Sequence, residues 1–271
     1  MQSKTKRITF NIMKLLCAFI VVFPVIIAII VSFQPEMEVL QIPFKLSIKN
    51  PTFDNYDYAF KYMNLFGYLK NTVIQIAICL PIQLITGLLT AYAFSHFEFP
   101  LKNFLFALIL TAMMIPGETV TMTIFKMVVG WGLVDTYAGL TVTGLVNVGS
   151  VFMFRQVMLS LPISLWEAAK IDGCNKMRYF VSIITPLCKT IVVAEALRSF
   201  IGIYNNYLWP LLITTKDEMR TVQTGVAYLM GSAHTGIIMA AVMITLIIPV
   251  IIFIFGLEHI MEGMTAGAVK S

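Results

Sequence analysis

The sequence predicts an all-α membrane protein: six transmembrane helices, with a cytoplasmic helical hairpin between the fourth and the fifth. Three observations carry that prediction. Of the 271 residues, 58% are hydrophobic and only 12% charged, whereas soluble domains carry about 25% charged residues. Mean hydropathy is +0.85. Apolar runs of about 20 residues, the length a helix needs to cross a bilayer, recur along the whole chain.

In order, residues 1–10 form a basic N-terminus, MQSKTKRITF, and the first helix lies within 11–33, with no charge over 15–33. Its start resembles a signal-peptide n-region. The apolar stretch is long and no A-x-A site follows it, so a retained helix is expected. A polar loop, 34–70, comes next and is expected outside the cell. Residues 71–262 form the core. Its candidate helices are 71–94, 103–125, 136–154, 190–213 and 235–257. The stretch 103–125 holds a single acid, Glu118, directly after Pro116-Gly117, and 190–213 holds Glu195 and Arg198. Pro24, Pro81 and Pro249 lie inside spans, where neighbouring groups re-satisfy the backbone. Residues 263–271 are a short cytoplasmic tail.

Six spans place both termini on one side of the membrane. With the N-terminus inside, Lys4, Lys6, Arg7, Lys14, Lys102, Arg155, Lys170, Lys176, Arg178, Lys189 and Lys270 are cytoplasmic, and the acid-balanced loop 34–70 is outside. This agrees with the positive-inside rule.

Several function classes drop out. The net charge of +5 is scattered, with no basic patch interleaved with aromatics, so nucleic acid is not an expected partner. Cys17, Cys79, Cys174 and Cys188 form no C-x-x-C pair and read as free thiols. His96, His234 and His259 lack metal-ligand spacing. No G-x-x-x-x-G-K-[ST] stretch is present to cradle nucleotide phosphates.

One polar island, 162–186, interrupts the apolar chain. Ser164-Leu165-Trp166-Glu167 fits the S-x-x-E capping box, and Ala168, Ala169 and Lys170 continue a helix. Asp172-Gly173 stops it, with Gly173 suited to a left-handed C-terminal position. Asn175 then suits the cap of a second helix. The hairpin that results is either a docking surface with a small alanine face or a helix lying among lipid headgroups.

These residues also carry a resemblance. Glu167-Ala168-Ala169, then Gly173, Ile183 and Pro186, resemble the EAA signature of permease subunits of bacterial ABC importers, with Thr185 where that family usually has leucine. MMIPG (113–117), DTYAGL (135–140), YNNYLWPLL (204–212) and MTAGAVKS (264–271) resemble the carbohydrate-type branch, although Gly263-Met264 stands where Gly-Leu is usual. Residues 152–212 are similar to glycerol 3-phosphate permeases. The resemblance implies the type I importer permease fold in a bacterial cytoplasmic membrane. It implies a second permease subunit, two ATP-binding subunits that hold ATP and Mg, and an extracytoplasmic solute-binding protein. It also implies that Glu167, Ala168, Ala169, Asp172 and Gly173 couple this chain to the ATPase, and that the chain itself is neither an enzyme nor a cofactor carrier.

A path for solute is less sharply marked. Glu195 and Arg198 are three apart, so they either neutralise each other on one helix face or leave Arg198 to attract an anion. Asn205, Asn206 and Trp209 offer amides and an aromatic face suited to sugar hydroxyls, or equally to an interfacial belt. A secondary transporter would need paired broken helices or an ion-serving acid, and a membrane enzyme would need a nucleophile–base pair.

Overall fold

The computed structural model describes residues 4–43, 46–231 and 233–268, and among them every regular element is a helix. Of the expected termini, residues 1–3 and 269–271 lie outside the described residues.

Three helices are long and apolar enough to cross a membrane unaided: Lys4–Ser32, Leu65–His96 and Thr235–Ala268. Three further stretches are pairs of helices bent at a short break, at 92° between Lys102–Ala112 and Gly117–Gly130, 42° between Tyr137–Gly144 and Val148–Ser160, and 75° between Lys176–Leu187 and Lys189–Tyr204. The structure thus holds three to six spans, the upper figure applying if each bent pair is one crossing.

Each bend has a local cause. At the first, Pro116 lacks an amide hydrogen and biases Ile115 away from helical geometry, and Gly117 opens the next helix. At the second, the Asn147 side chain accepts the Ser150 amide at 3.2 Å and starts a new helix. The third follows a π turn, 180–184, where the Thr185 hydroxyl donates to the Phe180 carbonyl at 2.9 Å ahead of amide-less Pro186. The stretch 190–213, expected to be one continuous helix, also breaks: Tyr204 ends one segment, Asn205 is its C-terminal cap, and Leu208–Ile213 is a separate helix.

Two compact units make up the chain. In the first, 1–66 with 225–247, the Asn55 amide donates to the carbonyls of Ser32 at 3.0 Å and Gln34 at 2.9 Å, at the C-terminal end of the first helix. Glu38 folds the following loop by accepting from the amides of Lys49 and Asn50. The second unit, 67–224 with 248–271, holds the candidate sites. There the helix Leu65–His96 presents Gln75, Cys79 and Gln83, spaced by four, on one face. Their side chains donate to the carbonyls of Leu140, Thr141 and Gly144 along the broken segment. Gly144 admits this approach: a Cβ there would lie 2.9 Å from the Cys79 sulfur.

Candidate functional site

The polar island folds as a hairpin. Its first helix, Ser164–Ile171, begins one residue earlier than the capping box requires: Ile163 is the N-cap and Ser164 is already helical. The amides of Trp166 and Glu167 bond the Ile163 carbonyl, and that of Leu165 bonds Pro162. The proline presets a helical φ, so the Ser164 hydroxyl does not accept the Glu167 amide.

The C-terminus forms as expected. Gly173 has φ +71°, the Cys174 amide reaches the Ala169 carbonyl at 2.9 Å, and the Gly173 amide reaches Lys170 at 3.1 Å. This pair of bonds is the Schellman closure. Asn175 then caps the next helix, accepting the Arg178 amide at 2.8 Å.

The two alanines do not share a face. Consecutive helical residues are about 100° apart, and Ala169 is buried while Ala168 is exposed. Ala169 packs inward with Tyr92, Phe154, Met158 and Tyr179. The outward surface consists of Glu167, Ala168, Asp172 and Gly173, with Ile163 and Ile171 exposed at 75% and 86%.

An aromatic seat holds the hairpin from below. Trp166 meets Tyr179 at 5.0 Å between centroids, and Tyr92 meets Phe180 at 4.8 Å. The Tyr92 hydroxyl donates to the Lys176 carbonyl at 2.8 Å, and the Lys176 ammonium sits 4.1 Å above the Phe97 ring. Tyr92 belongs to the long helix Leu65–His96, so the hairpin rests on the end of a candidate span. The EAA pattern did not single out Trp166; its position one turn before Lys170 on an amphipathic helix is the signal for it.

The second constellation lies at the 42° bend. Glu195 is 3% exposed. Its carboxylate accepts from Arg198 Nη2 at 2.6 Å, Arg198 Nε at 2.9 Å and the Ser150 hydroxyl at 3.0 Å. Arg198 Nη2 also donates to Asn147 Oδ1 and Ser150 Oγ, each at 3.2 Å. Of the two sequence readings the neutralising pair is present, and it ties two helices together. Asn147 and Ser150 were missed; Asn-x-x-Ser ahead of an apolar run is a cap signature that would have found them.

The third group diverges. Asn205 is exposed, its side-chain carbonyl 3.5 Å from the Gln223 amide. Trp209 is 5% exposed and its indole N–H donates to the Gly139 carbonyl at 3.0 Å. Asn206 lines a cavity of about 320 Å³ with Glu118, Thr121, Thr143, Leu208 and Trp209. The carboxylate, amide and hydroxyls there are hydrogen-bonding partners for a polyol, and the tryptophan supplies an apolar wall. Nearby, Asp135 accepts the amides of Thr215 and Lys216 at 2.6 and 2.9 Å. Burial alone would raise its pKa, but the bonds from Thr215 and Lys216 and the charge of Lys216 outweigh it and hold the carboxyl below its ordinary value.

Residues 83–262 match the family model described as binding-protein-dependent transport system inner membrane component. The chain is 33% identical over 259 residues to the arabinooligosaccharides transport system permease protein AraQ of Halalkalibacterium halodurans, covering 93% of this chain and 92% of that one. It is 30% identical over 264 residues to the sn-glycerol-3-phosphate transport system permease protein UgpE of Yersinia pestis, covering 94% of each. Its fold matches a chain of a bacterial ABC transporter involved in import of the acidic polysaccharide alginate, with TM-score 0.77 and 21% identity over 95% of this chain and 98% of that one. A chain of the alginate transporter in complex with its alginate pentasaccharide-bound periplasmic protein matches with TM-score 0.64 and 16% identity, over 94% and 95%.

Proposed function

This chain belongs to the family of binding-protein-dependent transport system inner membrane components, and from that membership we propose that, as a permease subunit of an ABC importer, it moves a neutral oligosaccharide or related polyol. Its partners in this reading are a second permease subunit, two cytoplasmic ATPases and an extracytoplasmic solute-binding protein. Each bent pair counts as one crossing, giving six spans with both termini in the cytoplasm. ATP and Mg are held by the ATPases.

The single observation that carries the coupling role is the hairpin. Glu167, Ala168, Asp172 and Gly173 face outward, while Trp166, Ala169 and Tyr179 key the same short element into the transmembrane helices. A displacement imposed on the exposed face therefore passes through packed side chains to Tyr92 and the long helix. Closure of the ATPases on ATP would move this element between two packed arrangements.

The solute class is argued from the cavity beside Asn206. It carries an acid, an amide and hydroxyls, and among the described residues neither lysine nor arginine lines it, which suits a neutral polyol better than an anion. A second reading, glycerol 3-phosphate, draws on Arg198, whose side chain is 51% exposed. The paired Glu195 carboxylate opposes it.

The deciding experiment is purification of a tagged copy from native membranes in mild detergent, with mass spectrometry of the associated chains and ligand. A P-loop ATPase, a second permease and a binding protein loaded with an oligosaccharide would support the reading. A lone chain that transports on an ion gradient would overturn it, and a phosphorylated ligand would select the second solute class.

A further inference from the structure

A second cavity shares no lining residue with the outward surface of the hairpin or with the Asn206 cavity. Its volume is about 440 Å³, and it is lined by Phe94, Glu98, Lys102, Phe104, Arg155 and Leu159 among others. It sits where the helix Leu65–His96 ends, the helix Lys102–Ala112 begins and Val148–Ser160 nears its C-terminus. Charged residues flanking apolar helices mark the level of the headgroups.

Two cations face this space. The Lys102 side chain is only 14% exposed, and its one carboxylate, Glu98 at 3.0 Å, is 90% exposed. Such a pair holds its cation weakly, because water screens the exposed partner. Arg155 spends its Nε hydrogen on the Phe94 carbonyl at 3.2 Å and lies 4.0 Å from the Phe106 ring centroid. Among the described residues no carboxylate lies within ion-pair distance of it. Its four remaining guanidinium hydrogens are therefore left for a further acceptor.

Besides these cations, Glu98 and Asn103, the lining carries apolar side chains that stand in the open: Leu101, Phe104 and Leu159 are 69%, 62% and 50% exposed. Two cations beside exposed apolar side chains, at the headgroup level, match the two ends of a phospholipid better than a free anion.

We propose that the cavity between Lys102 and Arg155 binds the phosphate-bearing headgroup of an anionic phospholipid, with its acyl chains lying along Phe104 and Leu159. The proposal rests on the reading of these helices as membrane spans. It does not need the hairpin to bind an ATPase or the Asn206 cavity to carry a sugar.

The test uses the purified transporter complex in mild detergent, without nucleotide or solute, and native mass spectrometry after addition of phosphatidylglycerol or phosphatidylcholine. Charge-assisted hydrogen bonds of this kind set the expected scale. The wild-type complex should retain phosphatidylglycerol about tenfold better than phosphatidylcholine, and the double variant Lys102→Gln/Arg155→Gln should lose that preference. Equal retention of the two lipids by the wild type, or an undiminished preference in the double variant, overturns the site. A second measurement needs no variant: the melting temperature of the wild-type complex should rise with phosphatidylglycerol and stay put with inorganic phosphate. An equal rise with phosphate alone would make this a free-anion site and refute the lipid assignment. Because lipid retention is read without transport, a failure of sugar uptake leaves this result standing, and the reverse also holds.

Discussion

The Trp166 indole packs edge-on against the Tyr179 ring, 5.0 Å between centroids and tilted by 62°. This contact joins the first helix of the hairpin, Ser164–Ile171, to the second, Lys176–Tyr179. An edge-to-face pair of this kind contributes about 0.5–1.5 kcal/mol beyond its burial, so it holds the two hairpin helices together.

Trp166→Ala should therefore uncouple the transporter. The complex is expected to assemble and hydrolyse ATP while uptake falls at least tenfold, and Trp166→Phe should keep most of the uptake. The ratio of solute moved to ATP hydrolysed in proteoliposomes reads this directly. An unchanged ratio in Trp166→Ala would remove the seat from the coupling path.

At Gly173 the constraint is the backbone. A Cβ there would meet nothing within 4 Å, yet φ is +71°, a region that costs most L-residues about 1–2 kcal/mol. Asparagine tolerates that region. Gly173→Asn should leave substantial uptake, whereas Gly173→Arg should abolish it with the protein still in the membrane, because the bulky side chain enters the docking surface. Wild-type uptake by Gly173→Arg would sink the docking assignment.

Removing Arg198 strands a buried carboxylate. Arg198→Ala should destabilise the complex near the low end of about 3–5 kcal/mol, since half of the arginine is already in water. Glu195→Gln should cost less, and Glu195→Gln combined with Arg198→Ala should recover part of the loss. Melting temperatures in one detergent compare them. If the double variant melts no higher than Arg198→Ala, the pair is not what holds Glu195.

Asp135 links stability to acid. Its pKa is lowered on folding, so its contribution is fully present above the ordinary carboxyl value of about 4 and is lost as pH falls through the lower native value. Asp135→Asn should melt below the wild type at neutral pH, and the gap should close below about pH 4. A gap that persists undiminished in acid would assign the effect to shape rather than charge.

The apolar segments were legible in the sequence because burial in lipid demands an uninterrupted run, and that demand is written residue by residue. The break at Asn205 was not, because an apolar run looks the same whether its helix is straight or broken. The bend at Asn147 is marked only by the short cap signature that opens the next helix. The end of the hairpin helix at Gly173 was readable from local backbone chemistry, as was the cap at Asn175. Its start was misplaced by one residue because Pro162 competes with Ser164 for the first turn. Glu195 and Arg198 were visible as neighbours, but Asn147 and Ser150 join them from about 50 residues away, a relation that spacing along the chain does not contain. Ala168 and Ala169 read as one small surface, but the helical turn of about 100° between them leaves Ala168 exposed and Ala169 buried.

Gln75, Cys79 and Gln83 form a ladder of donors up one helix face. Each rung serves a backbone carbonyl near the bend at 145–147. A carbonyl deprived of its donor in lipid has no water to turn to. The bend and its donors are therefore expected to be kept or lost as a set. A descendant that straightens residues 137–160 into one helix frees positions 75 and 83 to drift toward leucine, and one that keeps the bend must keep the amides.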